Sequence, residues 1–305
     1  MTTPKHAGST RRTVPPAPFS PSPIPPQVKG LDGRRTLFLD DPHDRRMAAG
    51  RLAAGAVLGH GFGNIYAITS RPDATTVRAV NLLKGRPADQ VGSITTTPTR
   101  LPDAFDWSQL PAGLSRSKAL DVVDALLALG PCGFRGPAAA GLPSHLTQRD
   151  AHVLTTQVIS PGYACPSNAV FAVAMGLTGG DYLYVTSANR SRHATGAVEE
   201  PAHHTAAGLR QDFEGIADLV LLQHRDEDAT RLRFSSFALS STSILALHRI
   251  AATPSGMPAL VVERHGSLSV EAIREALHAL SLDVVLGPRA QARLPQRHET
   301  LISRV

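Results

Sequence analysis

The chain has 305 residues, 42% of them apolar and 18% charged, with a formal net charge of +6. That length and balance give a folded, soluble composition with ample material for a core, and they exclude a disordered or collagen-like chain. No apolar run reaches the roughly 18 residues a membrane span needs, and the N-terminus lacks the apolar segment of a secretory signal.

In chain order, residues 1–30 are dominated by proline without apolar periodicity, and are expected to be a disordered or polyproline-like tail, a candidate docking segment for a protein partner. "RTLFLD" (35–40) predicts a strand. The stretch 45–61 predicts a helix passing into a strand at Ala56–Leu58, and 64–70 a second strand by its alternation. Residues 73–85 predict an amphipathic helix: Val77, Val80 and Leu83 share a face, Asp73 caps its start and Gly85 ends it. A strand follows at 91–98, a helix at 117–129 stopped by Gly130-Pro131, a helix at 166–177 and a strand at 181–188. Strands at 217–224, 241–249 and 258–266 precede a helix at 267–280, with Ser269 as its cap and Glu271 in the first turn. There is no internal repeat. Strands and helices alternate irregularly, which predicts a mixed-sheet α/β or α+β domain.

Three stretches carry candidate chemistry. In "LLKGRPAD" (82–89) Lys84 and Arg86 flank a glycine on a turn stiffened by Pro87. Two cations there suit a phosphate, and equally suit the negative end of the helix dipole. In "TSANRS" (186–191) Thr186, Ser187, Asn189 and Ser191 stand where a strand ends, as ligand contacts or as a polar turn. In "SSTSILALHR" (240–249) Thr242 and Ser243 open an apolar strand, where hydroxyls meet a phosphate or ribose or satisfy the backbone. The two cysteines, Cys132 and Cys165, fit no zinc spacing, and they fit a reducing, cytoplasmic setting better than a disulfide framework. The adjacent histidines of "PAHHT" (201–205) point apart on any regular element, and Asp40, Asp41 and Asp44 read as a solvated turn, so no metal site is expected in the chain itself.

In this order and spacing, the three stretches resemble the YrdC-like family of threonylcarbamoyl-AMP synthases. That family has a K-x-R-P turn after a helix, a T-S-A-N-x-S-G motif about 100 residues on, a P-S-T-I-V-D-L strand, and an R-x-G step before a final helix. The matches are Lys84–Pro87, Thr186–Ser191, Thr242–Leu247 and Arg264-His265-Gly266, and "LGPCGFRGP" (129–137) is similar to the family's W-P-G-P-L-T segment. The resemblance covers about residues 47–280. It implies a YrdC-like domain over 31–285, a twisted open mixed sheet with flanking helices around a concave basic cavity, and a C-terminal extension over 286–305. It implies a nucleotidyltransferase that uses L-threonine, bicarbonate and ATP, with Mg2+ accompanying ATP, to make threonylcarbamoyl-AMP for modification of adenosine 37 of tRNA. Lys84 and Arg86 would neutralise phosphates and the carboxylate, Ser187 and Asn189 would hold the carbamate and the nucleotide end, Thr186 and Ser191 would stand with them as substrate or nucleotide contacts, and Ser243 and Arg264 would line the nucleotide side.

Several positions depart from the pattern. Where the family has P-T-(D/E)-T, which contacts threonine, this chain has Gly61-Phe62-Gly63-Asn64. Gly133 replaces a threonine, "QVISPGYACP" (157–166) lacks the family's arginine, Arg192 follows T-S-A-N-x-S in place of glycine, and Thr242 and Ser243 are swapped in order. The phosphate-facing cations are kept and the threonine-facing residues are changed. The alternative expectation is therefore a divergent paralogue that binds nucleotide or double-stranded RNA without threonine-dependent activity.

Overall fold

A computed structural model describes residues 36–191, 196, 200–213, 219–254 and 256–297. The proline-rich tail and Arg192 lie outside the described residues. All described residues belong to the unit Thr36–Val305.

Its centre is one twelve-stranded mixed sheet. The strands are β1 (Leu37–Phe38), β2 (Val57–Phe62), β3 (Ile65–Ser70), β4 (Ser93–Thr95), β5 (Cys132–Pro137), β6 (Thr147–Asp150), β7 (Val153–Ser160), β8 (Leu183–Ser187), β9 (Leu219–Gln223), β10 (Ile244–Ala252), β11 (Pro258–Arg264) and β12 (Asp283–Leu286). They run in the order β1-β9-β2-β3-β8-β4-β7-β5-β10-β11-β12, with β6 paired to β7. β1/β9, β2/β9, β4/β7, β5/β10 and β11/β12 are parallel, and the other neighbours are antiparallel.

Seven α-helices are described: α1 (Pro42–Ala53), α2 (Ala74–Leu83), α3 (Arg116–Leu129), α4 (Ser167–Thr178), α5 (Ala206–Asp212), α6 (Glu227–Arg233) and α7 (Val270–His278). Most are capped from the sequence. Asp41 accepts from the amides of His43 and Asp44 at the start of α1, and Ser115 and Ser269 cap α3 and α7. Among the described residues no helix is long and apolar enough to cross a membrane.

The apolar periodicities of α2, α3 and α7 feed one core, which gathers Val77, Val80, Val122, Leu126, Ile273 and Leu277 against Ile68, Ile94, Phe134 and Leu245. A second core joins Ala48, Ala49 and Leu52 of α1 and Val170, Phe171 and Ala174 of α4 to Phe62, Ala67, Ile159, Val185 and Ile244. Strand residues alternate between the two cores, so each helix layer takes one face of the sheet. The sequence pattern marks no strand at β5, β6, β7 or β12 and no helix at α5 or α6. The chain also continues in order past the last predicted helix. β12 pairs with β11, Arg293 donates to the carbonyls of Gly266 and Ser267, and the Leu294 amide donates to the carbonyl of His265.

Candidate functional site

The site begins at the end of α2. The carboxylate of Asp73 caps that helix by accepting from the Thr76 amide at 2.9 Å. Gly85 takes φ +70°, the left-handed conformation that ends the helix, and turns Arg86 and Pro87 into the cavity. Asn81, buried on the last turn of α2, donates to the carbonyl of Gln90 at 2.8 Å and accepts from the Tyr184 hydroxyl at 3.2 Å, fixing the loop that carries Asp89 and Gln90.

β8 brings the second motif. The Arg86 guanidinium donates to Thr186 Oγ1 at 2.8 Å, and Lys84 Nζ donates to the same hydroxyl at 3.1 Å and to the carbonyl of Ser187. Ser187 Oγ donates to Asn189 Oδ1 at 2.5 Å, and the Ser191 amide donates to the carbonyl of Lys84 at 2.9 Å. Behind the motif, Ala188 is pinned between neighbours: its amide donates to the Tyr66 carbonyl, and its carbonyl accepts from the His203 amide.

The third motif enters from β10 and β11. Arg264 donates through Nε to the Thr242 carbonyl at 2.7 Å and through Nη2 to Thr242 Oγ1 at 3.0 Å. Ser243 turns the other way, donating to the Leu268 carbonyl at 2.5 Å and accepting from the Gly266 amide at 3.0 Å. A side chain at Gly266 would run into the carbonyl of Ser241, so the close approach requires glycine.

These elements enclose a cavity of about 970 Å³. Of the residues singled out from sequence, Arg86, Thr186, Ser187, Ser191 and Arg264 line it, joined by Thr242. Lys84, Asn189 and Ser243 do not. Lys84 is fully buried behind Thr186 and Ser187, which places its ammonium as a brace of the motif. Asn189 faces Ser187 and its own neighbour Arg190, and Ser243 ties down the Gly266 turn.

The cavity also has a wall that sequence analysis passed over. Arg135 of β5 donates through Nε to Glu263 Oε2 and through Nη2 to Gln157 Oε1, both at 2.7 Å. Arg135 and Gln157 are direct cross-strand partners, so the guanidinium that the resemblance expects near residues 157–166 stands one strand away. Glu263 also takes Arg249 at 2.7 Å. The ligand atoms of Asp150, His248 and Glu263 lie within 4.8 Å of one another, but Arg249 reaches both carboxylates and already supplies the positive charge there. Arg289, on the turn after β12, adds a further exposed cation to the lining.

The opposite flank is the turn between β2 and β3. A side chain at Gly61 would strike the His224 ring, and Gly63 holds φ +62° against Pro131. Asn64 Nδ2 donates to the Ala238 carbonyl at 2.7 Å. Phe62 and Ile65 face the cavity, beside Ala67, Ile159 and Ile244. The segment Gly61–Asn64 is thus a tight packing turn presenting hydrocarbon. Both cysteine thiols are buried, and burial pushes that of Cys132 up to about 12, which removes it as a nucleophile.

No protein-family model and no curated protein matches the chain. Solved structures do. The Sua5 protein of P. abyssi, complexed with L-threonine, matches with TM-score 0.54 and 17% identity over 81% of this chain and 60% of that one. The hypothetical protein smu.1377c from Streptococcus mutans UA159 matches with TM-score 0.55 and 15% identity, over 79% of this chain and 94% of that one. The fold is YrdC-like. The chain spans about 60% of the length of the P. abyssi Sua5 chain. Within the YrdC-like fold, the K-x-R-P turn and the T-S-A-N strand end meet at one cavity, although 100 residues separate Arg86 from Thr186.

Proposed function

We propose that the cavity binds ATP and that the protein is an enzyme of the threonylcarbamoyl-AMP synthase type. The reaction joins an amino acid, bicarbonate and ATP. The amino nitrogen forms a bond to the bicarbonate carbon with loss of water, giving a carbamate. A carbamate oxygen then attacks the α-phosphorus of ATP, the bond to the β,γ-phosphates breaks, and pyrophosphate leaves. The product in the family is threonylcarbamoyl-AMP, the precursor for tRNA adenosine 37. The observation that carries this reading is the convergence of Arg86, Thr186, Ser187 and Ser191 with Arg264 and Thr242 around one cavity. Such a transfer depends on positioning and charge stabilisation more than on a protein nucleophile, and this wall supplies cations and hydroxyls in that arrangement. The L-threonine held by the P. abyssi Sua5 protein supports an amino acid as co-substrate.

The lining carboxylates are Asp89 and Glu263, and Glu263 is already held by Arg135 and Arg249. That set fits a Mg2+ ion carried mainly by the triphosphate, with Asp89 as the carboxylate within the wall, because Mg2+ keeps several waters and binds through few protein ligands.

A second reading, favoured by the hydrocarbon at Phe62 and Ile65, is a paralogue that binds nucleotide or double-stranded RNA without threonine-dependent turnover. Calorimetric titration with ATP·Mg2+ tests the first step. Arg86→Ala is expected to weaken ATP binding by roughly tenfold to a hundredfold, the worth of a charge-assisted contact. ATP binding equally well to both proteins, or to neither while duplex RNA binds, removes the proposal.

A further inference from the structure

The cavity has two chemically different flanks, and the reaction proposed above needs a place for the amino-acid side chain. The polar flank carries the motif hydroxyls and their cations. The Thr186 hydroxyl accepts from Arg86 and Lys84, and that of Thr242 accepts from Arg264. The other flank is built from Phe62, Ile65, Ala67, Ile159 and Ile244.

Register places Ile159 and Ile244 on either side of Gly133. Ile159 of β7, Gly133 of β5, Ile244 of β10 and Arg264 of β11 form one cross-strand row, and paired residues share a face of the sheet. Gly133 leaves no notch in it. A β-carbon there would lie 2.6 Å from Ile159 Cδ1 and 3.0 Å from Ile244 Cγ1, so the two isoleucines close over the glycine. The row therefore presents an aliphatic floor ending at a guanidinium. Phe62 and Ile65, at the β2–β3 turn, add a phenyl and a further aliphatic wall. The floor is also the edge of the core under α1 and α4, which fixes these side chains in place.

From this arrangement we infer that the amino-acid substrate carries an aliphatic side chain without a hydroxyl, of the valine and isoleucine class. This rests on the carbamoyl-adenylate reading of the cavity. Against Ile159, Gly133 and Ile244 a hydroxyl loses water and meets side chains that offer no hydrogen bond, whereas a methyl in its place is buried favourably. L-Valine and L-threonine are the decisive pair, because they differ only by methyl for hydroxyl.

The experiment measures pyrophosphate release from ATP·Mg2+ and bicarbonate by the full chain, with L-valine, L-isoleucine and L-threonine compared as kcat/KM. The expected result is a preference for valine over threonine of about tenfold to a hundredfold, the range an apolar pocket achieves against a hydroxyl isostere. Ile65→Thr, checked for an intact melting transition, is expected to narrow that ratio. Release that is equal or faster with threonine overturns the aliphatic assignment and leaves the reaction standing. No release with any amino acid overturns the reaction and the assignment with it.

Discussion

Two flanks of one cavity were built by different rules. On one side, short polar residues at strand ends and a helix terminus are held by cations and by each other: Arg86 and Lys84 on Thr186, Ser187 on Asn189, Arg264 on Thr242. On the other, the turn Gly61–Asn64 is shaped by packing against His224 and Pro131, and hydrocarbon faces the cavity. The first flank keeps the residues of the K-x-R-P and T-S-A-N motifs. The second keeps the backbone path and changes what it presents. One backbone path thus carries two chemically different walls, even where they meet on the same strand pairs, Ala67 beside Ser187 and Ile244 beside Arg264.

That contrast breaks first at Gly266, behind the polar flank. Gly266→Ala drives a methyl into the Ser241 carbonyl, and a backbone obstacle cannot step aside. We expect a loss of about 3 kcal/mol or more, read by denaturant unfolding, together with weakened nucleotide binding because the Thr242–Arg264 contact shares the same turn. A stable Gly266→Ala protein with normal affinity would uncouple that turn from the cavity.

Gly61→Ala sharpens the other side. Its methyl meets the His224 ring, which has some room to give, so the expected cost is about 1–3 kcal/mol, with ATP affinity within about twofold of the parent. A large loss of affinity would mean that the turn does contact the nucleotide.

The pH dependence is smaller, and it belongs to the same turn. His60 is buried and His224 largely so, and that desolvation lowers each to about 4 from an ordinary 6.5. Both are neutral in the folded protein and take up protons on unfolding as the pH falls below 6.5. Their contribution to stability is therefore full above about pH 6.5 and is lost progressively toward pH 4. The melting temperature should be flat from pH 8 to 7 and fall by several degrees between pH 6.5 and 4.5. A flat profile through that window would contradict this assignment.

The sequence carried the polar flank well. Asp73 and Gly85 do bracket α2, and the motif residues Arg86, Thr186, Ser187, Ser191 and Arg264 do share a cavity. It carried less of the rest. The strand Cys132–Pro137 contains two glycines and a proline, which read as loop, yet Gly133 and Gly136 are where Ile159 and Phe105 occupy the space a side chain would need. With β5 missed, Arg135 had no strand to aim it at Gln157 and Glu263. β12 is only four residues long, and Arg289 follows it, so neither periodicity nor a motif marked that cation. Lys84 was legible as a cation two residues before Arg86, but its position behind Thr186 depends on three-dimensional packing that spacing does not encode. The apolar flank was visible only as an absence of expected residues, and the cross-strand row through Gly133 gives it a positive description.

The most direct test is a crystal structure of the protein with a non-hydrolysable ATP analogue and Mg2+. The account predicts phosphates against Arg86, Thr186 and Ser187, with the nucleotide inside the cavity bounded by Thr242 and Arg264. An analogue bound elsewhere, or a cavity left empty at saturating analogue, would contradict it.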